Sequence, residues 1–338
     1  MRIILDCHGG DHCPSAAVDG ALAALQKNPD LTLVLCGIES DLRACLQGKQ
    51  YDTARLSILP AEQTITNEDS PTLAIRRKKQ SSMVLALQQV REGAVDGIVS
   101  AGNTGALLVG ASILVGLIPG VTRACLAPVL PTLDPDRSVV MVDGGANVDC
   151  RVEMYREFAV MGDAFMRSVY GIERPRIGLL SNGAEAEKGN EITKQAHALL
   201  ADSGLNFVGN VEARYVMNNV CDVLVTDGWG GNIVLKASEG MALNLFEMMK
   251  QHILASGLRG KIGYLLLKPA LRKVKYRMSG DETGGGAFLG TRGVVVKAHG
   301  SSKAVAFCNA ILLADKLAQN KLVDRIRDGL RATKEEQE

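Results

Sequence analysis

The chain has 338 residues, of which 46% are hydrophobic and 22% are charged, and its formal net charge is +1. Ordinary apolar content with so little net charge excludes disorder as a description of the whole chain. A charge of +1 also disfavours a general nucleic-acid binder, because it supplies no overall attraction to a polyanion. The opening MRIILDCHGG turns polar too soon for a secretory signal, and no run of about 18 apolar residues predicts a transmembrane helix.

The chain contains eight cysteines, and no two of them form a Cys-x-x-Cys pair. This spacing disfavours a zinc site or a thioredoxin-like redox centre. Without a secretory signal, the cysteines are predicted to be buried thiols in a reducing compartment. We therefore expect a cytoplasmic protein without a structural metal, and the 36 glycines are typical of an α/β enzyme with glycine-rich loops.

Short apolar runs alternate along the chain with helical segments. The runs predicted as strands are Arg2–Asp6, Leu31–Cys36, Leu56–Pro60, Gly97–Ser100, Ser138–Asp143, Arg176–Leu180, Asn206–Gly209, Val223–Thr226 and Val294–Lys297. The predicted helices include Ser15–Lys27, Met83–Glu92, Glu153–Tyr170 and Glu191–Ala201. This alternation predicts a mostly parallel sheet sandwiched by helices, a Rossmann-like α/β/α fold. In such a sheet we expect the loops that follow the strands to gather at one edge, where ligands bind.

One segment departs from the mixed charge of the chain. Residues 248–280 contain eight Lys or Arg and neither Asp nor Glu, among many apolar residues. Gly257 and Gly260 interrupt the segment, which predicts a helical hairpin over 245–278 with its tip near Ser256–Gly263, projecting from a single domain of residues 1–338. Cations beside exposed apolar side chains are typical of a surface that rests on anionic lipid or docks on an acidic partner. The alternative is a core helix pair with a basic solvent face.

Glycine-rich loops with polar side chains follow several of the predicted strands. They are Asp6–Asp11, Ser100–Ala106, Asp143–Asn147, Asn182–Asn190 and Thr226–Asn232, with Gly284–Gly290 and Lys297–Ser302 near the C-terminus. Paired glycines let backbone N–H groups face a ligand, and a following helix N-terminus favours an anion. Together the loops indicate a pocket rich in amide donors, suited to phosphate or a carbonyl oxygen. Each loop alone is equally compatible with a tight strand-to-helix turn.

Two side chains in these loops can bring positive charge to a ligand. Lys188 can neutralise a phosphate or a developing oxyanion, although it is also placed to be a surface charge. His299 lies at a strand end before a Ser-Ser helix start, where it can donate to an anion or transfer a proton. A lone histidine is more often structural. Asn103 and Thr104 offer uncharged hydrogen bonds to a ligand, or a helix N-cap.

Several common catalytic motifs are missing from the sequence. It has no Gly-x-Ser-x-Gly elbow, no P-loop, no His-Glu-x-x-His and no Gly-x-Gly-x-x-Gly fingerprint. The sequence therefore disfavours four enzyme classes: a hydrolase, a P-loop kinase, a zinc protease and a nicotinamide-dependent dehydrogenase.

Taken in order, the motifs resemble those of the PlsX family of phosphate acyltransferases. The matching motifs are Asp6-x-x-Gly-Gly-Asp11, Ser100-Ala-Gly-Asn-Thr-Gly105, Asp143-Gly-Gly-Ala-Asn147, Asn182…Glu185…Lys188-Gly189, Gly209-Asn-Val-Glu-Ala-Arg214, Val225-Thr-Asp-Gly-Trp-Gly-Gly-Asn232 and Lys297-Ala-His-Gly-Ser-Ser302. The resemblance implies transfer of an acyl chain from acyl carrier protein (ACP) to inorganic phosphate, by direct attack of phosphate on the thioester. The products are acyl phosphate, used for phospholipid synthesis, and free ACP.

The resemblance also implies a set of site residues. The expected catalytic residues are Lys188, Asn232 and His299, with the first two on the phosphate or the oxyanion. The expected substrate-binding residues are Asp6, Gly9, Gly10, Asp11, Gly102, Asn103, Thr104, Asn147, Asn182, Asp227, Gly228 and Ser301. No cofactor and no metal are expected. The chain departs from the family at His8, in the lining of the first loop, where methionine is usual, and at Ala287-Phe288, beside the expected acyl pocket, where proline is usual.

The resemblance implies partners as well. Because ACP is acidic, it implies a basic docking surface, which is either Arg76–Lys79 or the hairpin. It further implies a homodimer, peripheral contact of residues 252–278 with an anionic membrane, and a downstream glycerol-3-phosphate acyltransferase. We accordingly expect a cytoplasmic protein associated peripherally with the membrane, without a nucleic-acid partner. The rival interpretations are a phosphotransacetylase-like enzyme that uses coenzyme A thioesters, a non-catalytic scaffold that binds ACP, and a related dehydrogenase.

Overall fold

The computed structural model describes residues 1–280 and 282–335, and within them a sheet of eleven strands has helices packed on both faces. The strands are β1 Arg2–Asp6, β2 Thr32–Gly37, β3 Leu56–Pro60, β4 Gly97–Ser100, β5 Cys125–Pro131, β6 Ser138–Val142, β7 Ile177–Ser181, β8 Phe207–Glu212, β9 Val223–Val225, β10 Gly286–Leu289 and β11 Val294–Lys297. The predicted α/β fold with a mostly parallel sheet is confirmed.

The helices lie between the strands, and two of them follow the last strand. They are α1 Ser15–Lys27, α2 Glu39–Leu46, α3 Pro71–Arg77, α4 Ser82–Arg91, α5 Thr104–Gly110, α6 Val152–Tyr170, α7 Glu191–Ala201, α8 Gly228–Ala255, α9 Gly257–Met278, α10 Ala304–Gln319 and α11 Leu322–Glu335. A π-helical turn at Ala111–Val115 continues α5, and a 3₁₀ turn at Ala213–Asn218 follows β8.

The predicted element bounds agree partly with the structure, and the strands that were not predicted lie in the middle of the sheet. Four predicted strands and two predicted helices have the observed bounds, and the others shift by one to a few residues. The sequence pattern missed β5 and β10 altogether. The two prolines in β5 argue against a central strand, because proline cannot donate a ladder hydrogen bond. Only four residues form β10, directly after a run of glycines.

The sheet consists of two parallel halves that run in opposite directions. The strand order is β3-β2-β1-β4-β11-β10-β5-β6-β9-β7-β8. The strand β10 is antiparallel to β11 and to β5, and β5 is antiparallel to β6. The strands from β6 to β8 therefore run opposite to those from β3 to β11. The expectation that all the loops gather at one edge is wrong, because parallel strands of opposite halves end at opposite edges.

The two sets of strand ends nevertheless meet at the middle of β5. From one half, Lys297 at the end of β11 pairs with Gly286, which pairs in turn with Pro128 of β5. From the other half, the N–H of Gly144, just beyond β6, donates to the carbonyl oxygen of Leu126, 2.7 Å away. A change of strand direction of this kind leaves a crevice, which is where ligands bind in open α/β sheets.

The predicted hairpin is present as α8 and α9, which turn at Ser256 and Gly257. The first helix is much longer than expected and starts at Gly228, beside the middle of the sheet. No residue of α9 is buried, and Leu258, Leu265 and Leu266 are about 70% exposed or more. Among the described residues, no helix is both long and apolar enough to cross a membrane.

Candidate active site

A cavity of about 320 Å³ lies where the two halves of the sheet meet, and we call it the central cavity. Its walls come from β5, from the first turns of α8 and from the segments around residues 144–145, 278–280, 283–286 and 297–302. One wall is apolar and is formed by Leu126, Pro128, Val129, Leu130, Leu235 and Met278. Elements distant in sequence thus close one pocket around the strand that joins the two halves.

The other side of the central cavity is polar and cationic. It is formed by Thr104, Gly145, Asn232, Lys236, Lys297 and His299, among others. The Asn232 side chain packs over Gly145, where an added Cβ would lie 3.3 Å from Asn232 Oδ1. Lys236 Nζ makes an ion pair of 2.8 Å with Glu239. Because Glu239 also lines the cavity and neutralises Lys236, the Lys297 ammonium and the Asn232 amide are the groups that favour an anion there.

Lys297 is the most strongly perturbed cation of this pocket. Its Nζ donates to the carbonyl oxygens of Ala101, at 3.2 Å, and of Ala298. Burial lowers the pKa of Lys297 to about 8, while the carboxylates of Asp6 and Asp11 act in the opposite direction. The ammonium group therefore links the loops after β1, β4 and β11 on the polar side of the cavity. A buried, perturbed lysine in a cleft is a candidate for function.

His299 has a defined tautomer in its neutral form. The backbone N–H of Ser301 donates to His299 Nδ1 over 3.2 Å, and Ser301 Oγ lies 2.8 Å from the same nitrogen. Because Nδ1 accepts, the ring proton is on Nε2, which is the donor left for another group. Ser301 thus positions His299, and both side chains are exposed.

Apart from Thr104, the residues expected from the first two loops form the support beneath the cavity. Asp6 is buried, and its carboxylate accepts from Ser82 Oγ at 2.6 Å and Ser100 Oγ at 2.7 Å. Gly9 lies against Gly102, where an added Cβ would come within 2.5 Å of the Gly102 nitrogen. Asp11 N donates to the Gly300 carbonyl oxygen at 2.8 Å, beside Gly10. These contacts fix the loop that carries Lys297 and His299.

Asp143 and Asn147 form a second buried support. The Asp143 carboxylate accepts from the backbone N–H groups of Leu126, Gly145, Ala146 and Asn147 and from the Asn147 side chain, at 2.7 to 3.1 Å. Burial raises the pKa of this carboxyl, which the hydrogen bonds partly offset. The carbonyl oxygen of Asn147 then accepts from Gly228 N at 2.7 Å. This network holds the loop after β6 against the start of α8.

Two expected ligands act as helix N-caps. Asn103 Oδ1 accepts from Ala106 N at 3.0 Å and begins α5, and its amide donates to three carbonyl oxygens of residues 66–69. Asp227 Oδ1 accepts from Gly230 N at 2.6 Å and begins α8, and its other oxygen accepts from Tyr155 at 3.3 Å. Each cap sets the direction of a helix whose first residues line the central cavity.

Lys188 and Asn182 lie away from the central cavity. Both are exposed, and neither is among the described residues that form its walls. Lys188 N donates to the Glu185 carbonyl oxygen at 3.1 Å, and that oxygen also accepts from Asn210 Nδ2 at 2.7 Å. Asn210 Oδ1 in turn lies 3.0 Å from His197 Nδ1. The loop that carries Lys188 is therefore held by β8 and α7.

Three of the fifteen expected site residues line the central cavity, namely Thr104, Asn232 and His299. Most of the others position those three or the loops beside them. Sequence reasoning missed Lys236 and Lys297 as site residues, although both stand in or just after the matched motifs. The signal was present for each, since Lys297 opens its motif and Lys236 lies four residues after Asn232 on one helix face.

His8, where the family usually has methionine, contacts β2 and α2. Its Nε2 lies 3.3 Å from Asp41 Oδ2 of α2, and its ring contacts Gly37, where an added Cβ would be 2.3 Å from Nδ1. The imidazole is therefore directed toward β2 and α2. It does not line the central cavity as the described residues define it.

The thiols and acidic groups offer little else for catalysis. Burial raises the pKa of Cys7, Cys13 and Cys36 behind the first loop, that of Cys13 to about 12. Such thiols stay protonated and are poor nucleophiles. Within the part of the chain that the structure describes, no three His, Cys, Asp or Glu side chains are grouped closely enough to hold a metal ion.

Comparison with known proteins gives close relatives over nearly the full chain. A family model described as "Fatty acid synthesis protein" matches residues 1–325. A phosphate acyltransferase of Clostridium acetobutylicum is 44% identical over 326 residues, which are 96% of this chain and 98% of that protein. A phosphate acyltransferase of Shouchella clausii is 45% identical over 330 residues, 98% of each.

Solved structures with the same fold are more distant. A phosphotransacetylase from Streptococcus pyogenes superposes with a TM-score of 0.61 at 16% identity, covering 94% of each chain. The EutD phosphotransacetylase from Staphylococcus aureus gives a TM-score of 0.58, also at 16% identity and with 94% of each chain covered. At this identity the likeness establishes the fold alone.

Proposed function

The chain belongs to the PlsX family of phosphate acyltransferases and transfers an acyl group to phosphate. We propose that its donor is acyl-ACP and that its products are acyl phosphate and free ACP. The acyl phosphate then serves phospholipid synthesis, through a glycerol-3-phosphate acyltransferase that consumes it. The observation that carries the proposal is the two-sided central cavity. Its apolar wall suits a fatty acyl chain, and its cationic end suits inorganic phosphate.

The reaction needs positioning more than it needs a nucleophilic side chain. A phosphate oxygen attacks the thioester carbon, the new C–O bond forms, and the C–S bond breaks. The proton of the phosphate monoanion or dianion passes to the departing thiolate, so that atoms and charge balance. The protein holds the two reactants together and stabilises the oxyanion that forms at the carbonyl.

The polar end of the cavity supplies the groups for these tasks. The Asn232 amide, the Lys297 ammonium and the Nε2–H of His299 are donors that belong to residues lining the same cavity. We assign them to the phosphate and the oxyanion, with Thr104 and Lys236 beside them. Lys188 stays a predicted catalytic residue, although it is exposed and is not among the described residues that line the cavity.

The position of α3 supports it as the surface on which ACP docks. Pro71 at its start packs against Gly105, next to Thr104 of the cavity wall. Arg76 and Arg77 at its end are exposed, so that they are available to an acidic partner. Lys78 is less so, because its Nζ makes an ion pair of 2.6 Å with Asp69.

The hairpin supports the proposed membrane contact and dimer. Its second helix exposes basic and apolar side chains together, which favours peripheral contact of residues 252–278 with anionic lipid from the cytoplasmic side. Met241, Leu245 and Met248 on α8 are more than half exposed and lie on one face of the helix. Apolar side chains exposed along one helix face support a homodimer formed along this helix.

The test is detection of acyl phosphate. Purified protein is given inorganic phosphate and either palmitoyl-ACP or palmitoyl-CoA, without metal or nucleotide, and acyl phosphate is trapped with hydroxylamine. We expect product from palmitoyl-ACP that depends on phosphate. Product from palmitoyl-CoA alone would favour a phosphotransacetylase-like enzyme. Tight binding of ACP without product from either donor would instead favour a scaffold.

A further inference from the structure

A second cavity of about 320 Å³ lies behind the central cavity, between β5, α6 and α10. Its inner walls are apolar and include Phe165, Val169 and Leu313. Phe165 is fully buried in the main core cluster. Its rim is polar, with Asp136, Ser138, Arg277 and Glu282. The space is thus an apolar recess that the proposed mechanism leaves unused.

The two cavities are separated by a thin partition. Three residues, Val129, Pro131 and Thr283, line both of them. Successive side chains of β5 point to opposite faces of the sheet, so that Leu130 packs with the cluster beside α8 and Val129 with the cluster around Phe165. Val129, Pro131 and Thr283 therefore separate a cavity on the α8 face of the sheet from one on the face of α6 and α10.

Thr283 is not held by the sheet. Pairing of β10 with β5 begins at Gly286, opposite Pro128, so the outer part of β5 has no partner strand on that side. Thr283 is half-buried, and its hydroxyl donates to the Gly280 carbonyl oxygen at 3.0 Å. It is followed by Gly284 and Gly285, whose φ angles of +77° and +117° are accessible mainly to glycine.

The central cavity runs along β5 toward this partition. Gly144 N donates to Leu126, Asn232 packs over the neighbouring Gly145, and Lys297 lies level with Pro128 through Gly286. Pro131, the last residue of β5, lines the cavity together with Met278 and Thr283. An acyl group with its thioester carbon between Asn232 and Lys297 therefore extends its hydrocarbon tail along β5 toward Thr283.

We propose that the tail of a long acyl chain passes Thr283 into the second cavity, so that Thr283 and the apolar residues behind it set the preferred chain length. This inference rests on the proposed function and goes further, because it assigns the second cavity to the end of the acyl chain. Each methylene removed from water adds about fourfold in affinity. A donor long enough to reach the second cavity should thus gain over one that ends in the first.

The first test blocks the partition. Thr283→Phe places a ring between the cavities, and Thr283→Val is the matched control, because it removes the same hydroxyl without adding bulk. We expect Thr283→Phe to lower the ratio of kcat/KM for palmitoyl-ACP to that for octanoyl-ACP about tenfold or more. Thr283→Val should keep the wild-type ratio between the two donors. Equal ratios in the two variants would overturn the inference.

The second test fills the second cavity from its other side. Leu313 lines the second cavity and not the central one, and Leu313→Trp adds bulk there. The same selective loss with palmitoyl-ACP is expected, and an unchanged ratio counts against the inference.

If wild-type protein makes no acyl phosphate from any donor, the proposed function fails and this inference with it. Normal turnover with unchanged chain-length ratios overturns this inference alone.

A direct measurement avoids the folding of variants. Wild-type protein is crystallised with palmitate carrying bromine on its last carbon, and the bromine is located by anomalous scattering. We expect the signal beside Phe165 and Leu313. A signal confined to the central cavity or to the hairpin surface would overturn the proposal.

Discussion

At Lys297, burial and two neighbouring carboxylates act on one ammonium group in opposite directions, and burial dominates. If this ammonium group holds phosphate, activity requires its protonated form. Activity should therefore fall as pH rises through about 8, the pKa of the group. The Lys297→Arg variant, whose guanidinium stays charged, should show the fall at higher pH or not at all. The measurement is the ratio of variant to wild-type kcat/KM from pH 6.5 to about 9.5, which removes the titration of phosphate itself.

The lowered pKa of Lys297 predicts that stability changes with pH in the direction opposite to activity. Its pKa is about 8 in the folded protein and about 10.4 in an unfolded chain. Between these values the unfolded chain binds more protons, so the contribution of Lys297 to stability rises with pH. Urea unfolding at pH 8 and about pH 10, compared between wild type and Lys297→Met, measures it. A larger rise in the variant than in the wild type would contradict the assigned pKa.

Lys188 belongs to a matched motif, yet it is exposed and does not line the central cavity as the described residues define it. The resemblance predicts that Lys188→Ala lowers turnover about tenfold, or about 1.4 kcal/mol of barrier, if the group touches the reactants. Its exposed position makes the comparison with Lys297→Ala informative. Lys194→Ala, in α7 near the same loop, is the control. Unimpaired turnover of Lys188→Ala would remove it from the catalytic set.

Asp143 is expected to matter for stability. Asp143→Asn replaces one acceptor oxygen with an NH₂ group that faces backbone N–H donors. A lost hydrogen bond to a charged group costs about 1.5 to 3 kcal/mol, and we expect destabilisation of about that size. Chemical denaturation is the measurement, with Asp149→Asn, at an exposed position, as the control. Equal stability of the two variants would show that the buried network contributes little.

Residue patterns predicted which loops matter better than they predicted which side chains face the ligand. The glycine-rich loops were found because glycine and asparagine mark strand ends. The direction in which a side chain points could not be predicted. In the sequence, Asn103 could equally be a ligand or a helix cap, and Asn147 could equally be a ligand or a buried amide. Lys297 was missed because the burial and the two carboxylates that act on it, Asp6 and Asp11, arise only in the fold, nearly the whole chain away in sequence.

Among the elements, α8 connects local capping to the cavity, since its first turns contain Asn232 and Lys236. Asp227→Ala removes the N-cap, which costs about 1 kcal/mol, and should also lower kcat through a shift of Asn232. Asp227→Asn retains a capping oxygen and should recover both stability and kcat. Thermal unfolding and acyl phosphate formation measure the two effects. An Asp227→Asn variant that is stable but inactive would show that the carboxylate itself contacts the substrate.

The elements that sequence reasoning missed are the ones that build the site. Prolines in β5 and glycines before β10 argue against strands, yet both occupy the middle of the sheet. They are tolerated because β5 changes partners along its length, pairing with β10 up to Pro128 and with β6 from Val129. Helix and strand patterns carry no information on such a change, so the reversal of the second half could not be predicted.

At the scale of the whole molecule, two basic surfaces have separate expected partners. Arg76→Glu with Arg77→Glu should lower kcat/KM for palmitoyl-ACP about tenfold at low salt and leave palmitoyl-CoA unchanged. Arg272→Glu with Lys273→Glu on α9 should instead weaken sedimentation with anionic vesicles, and it serves as the control for the first pair. Added salt should weaken both contacts. Binding that ignores ionic strength, or exchanged effects of the two pairs, would contradict these assignments.

The order of the strands also has a consequence for synthesis of the chain. The last strand to be made, β11, is inserted between β4 and β10 at the centre of the sheet. The strands at the middle of the sheet, β10 and β11, are therefore synthesised after the strands on either side of them. Until then the nascent chain leaves one side of β4 unpaired, and an open strand edge readily captures other polypeptides. Truncated products that end before Val294 are thus the forms of this protein that most need a chaperone.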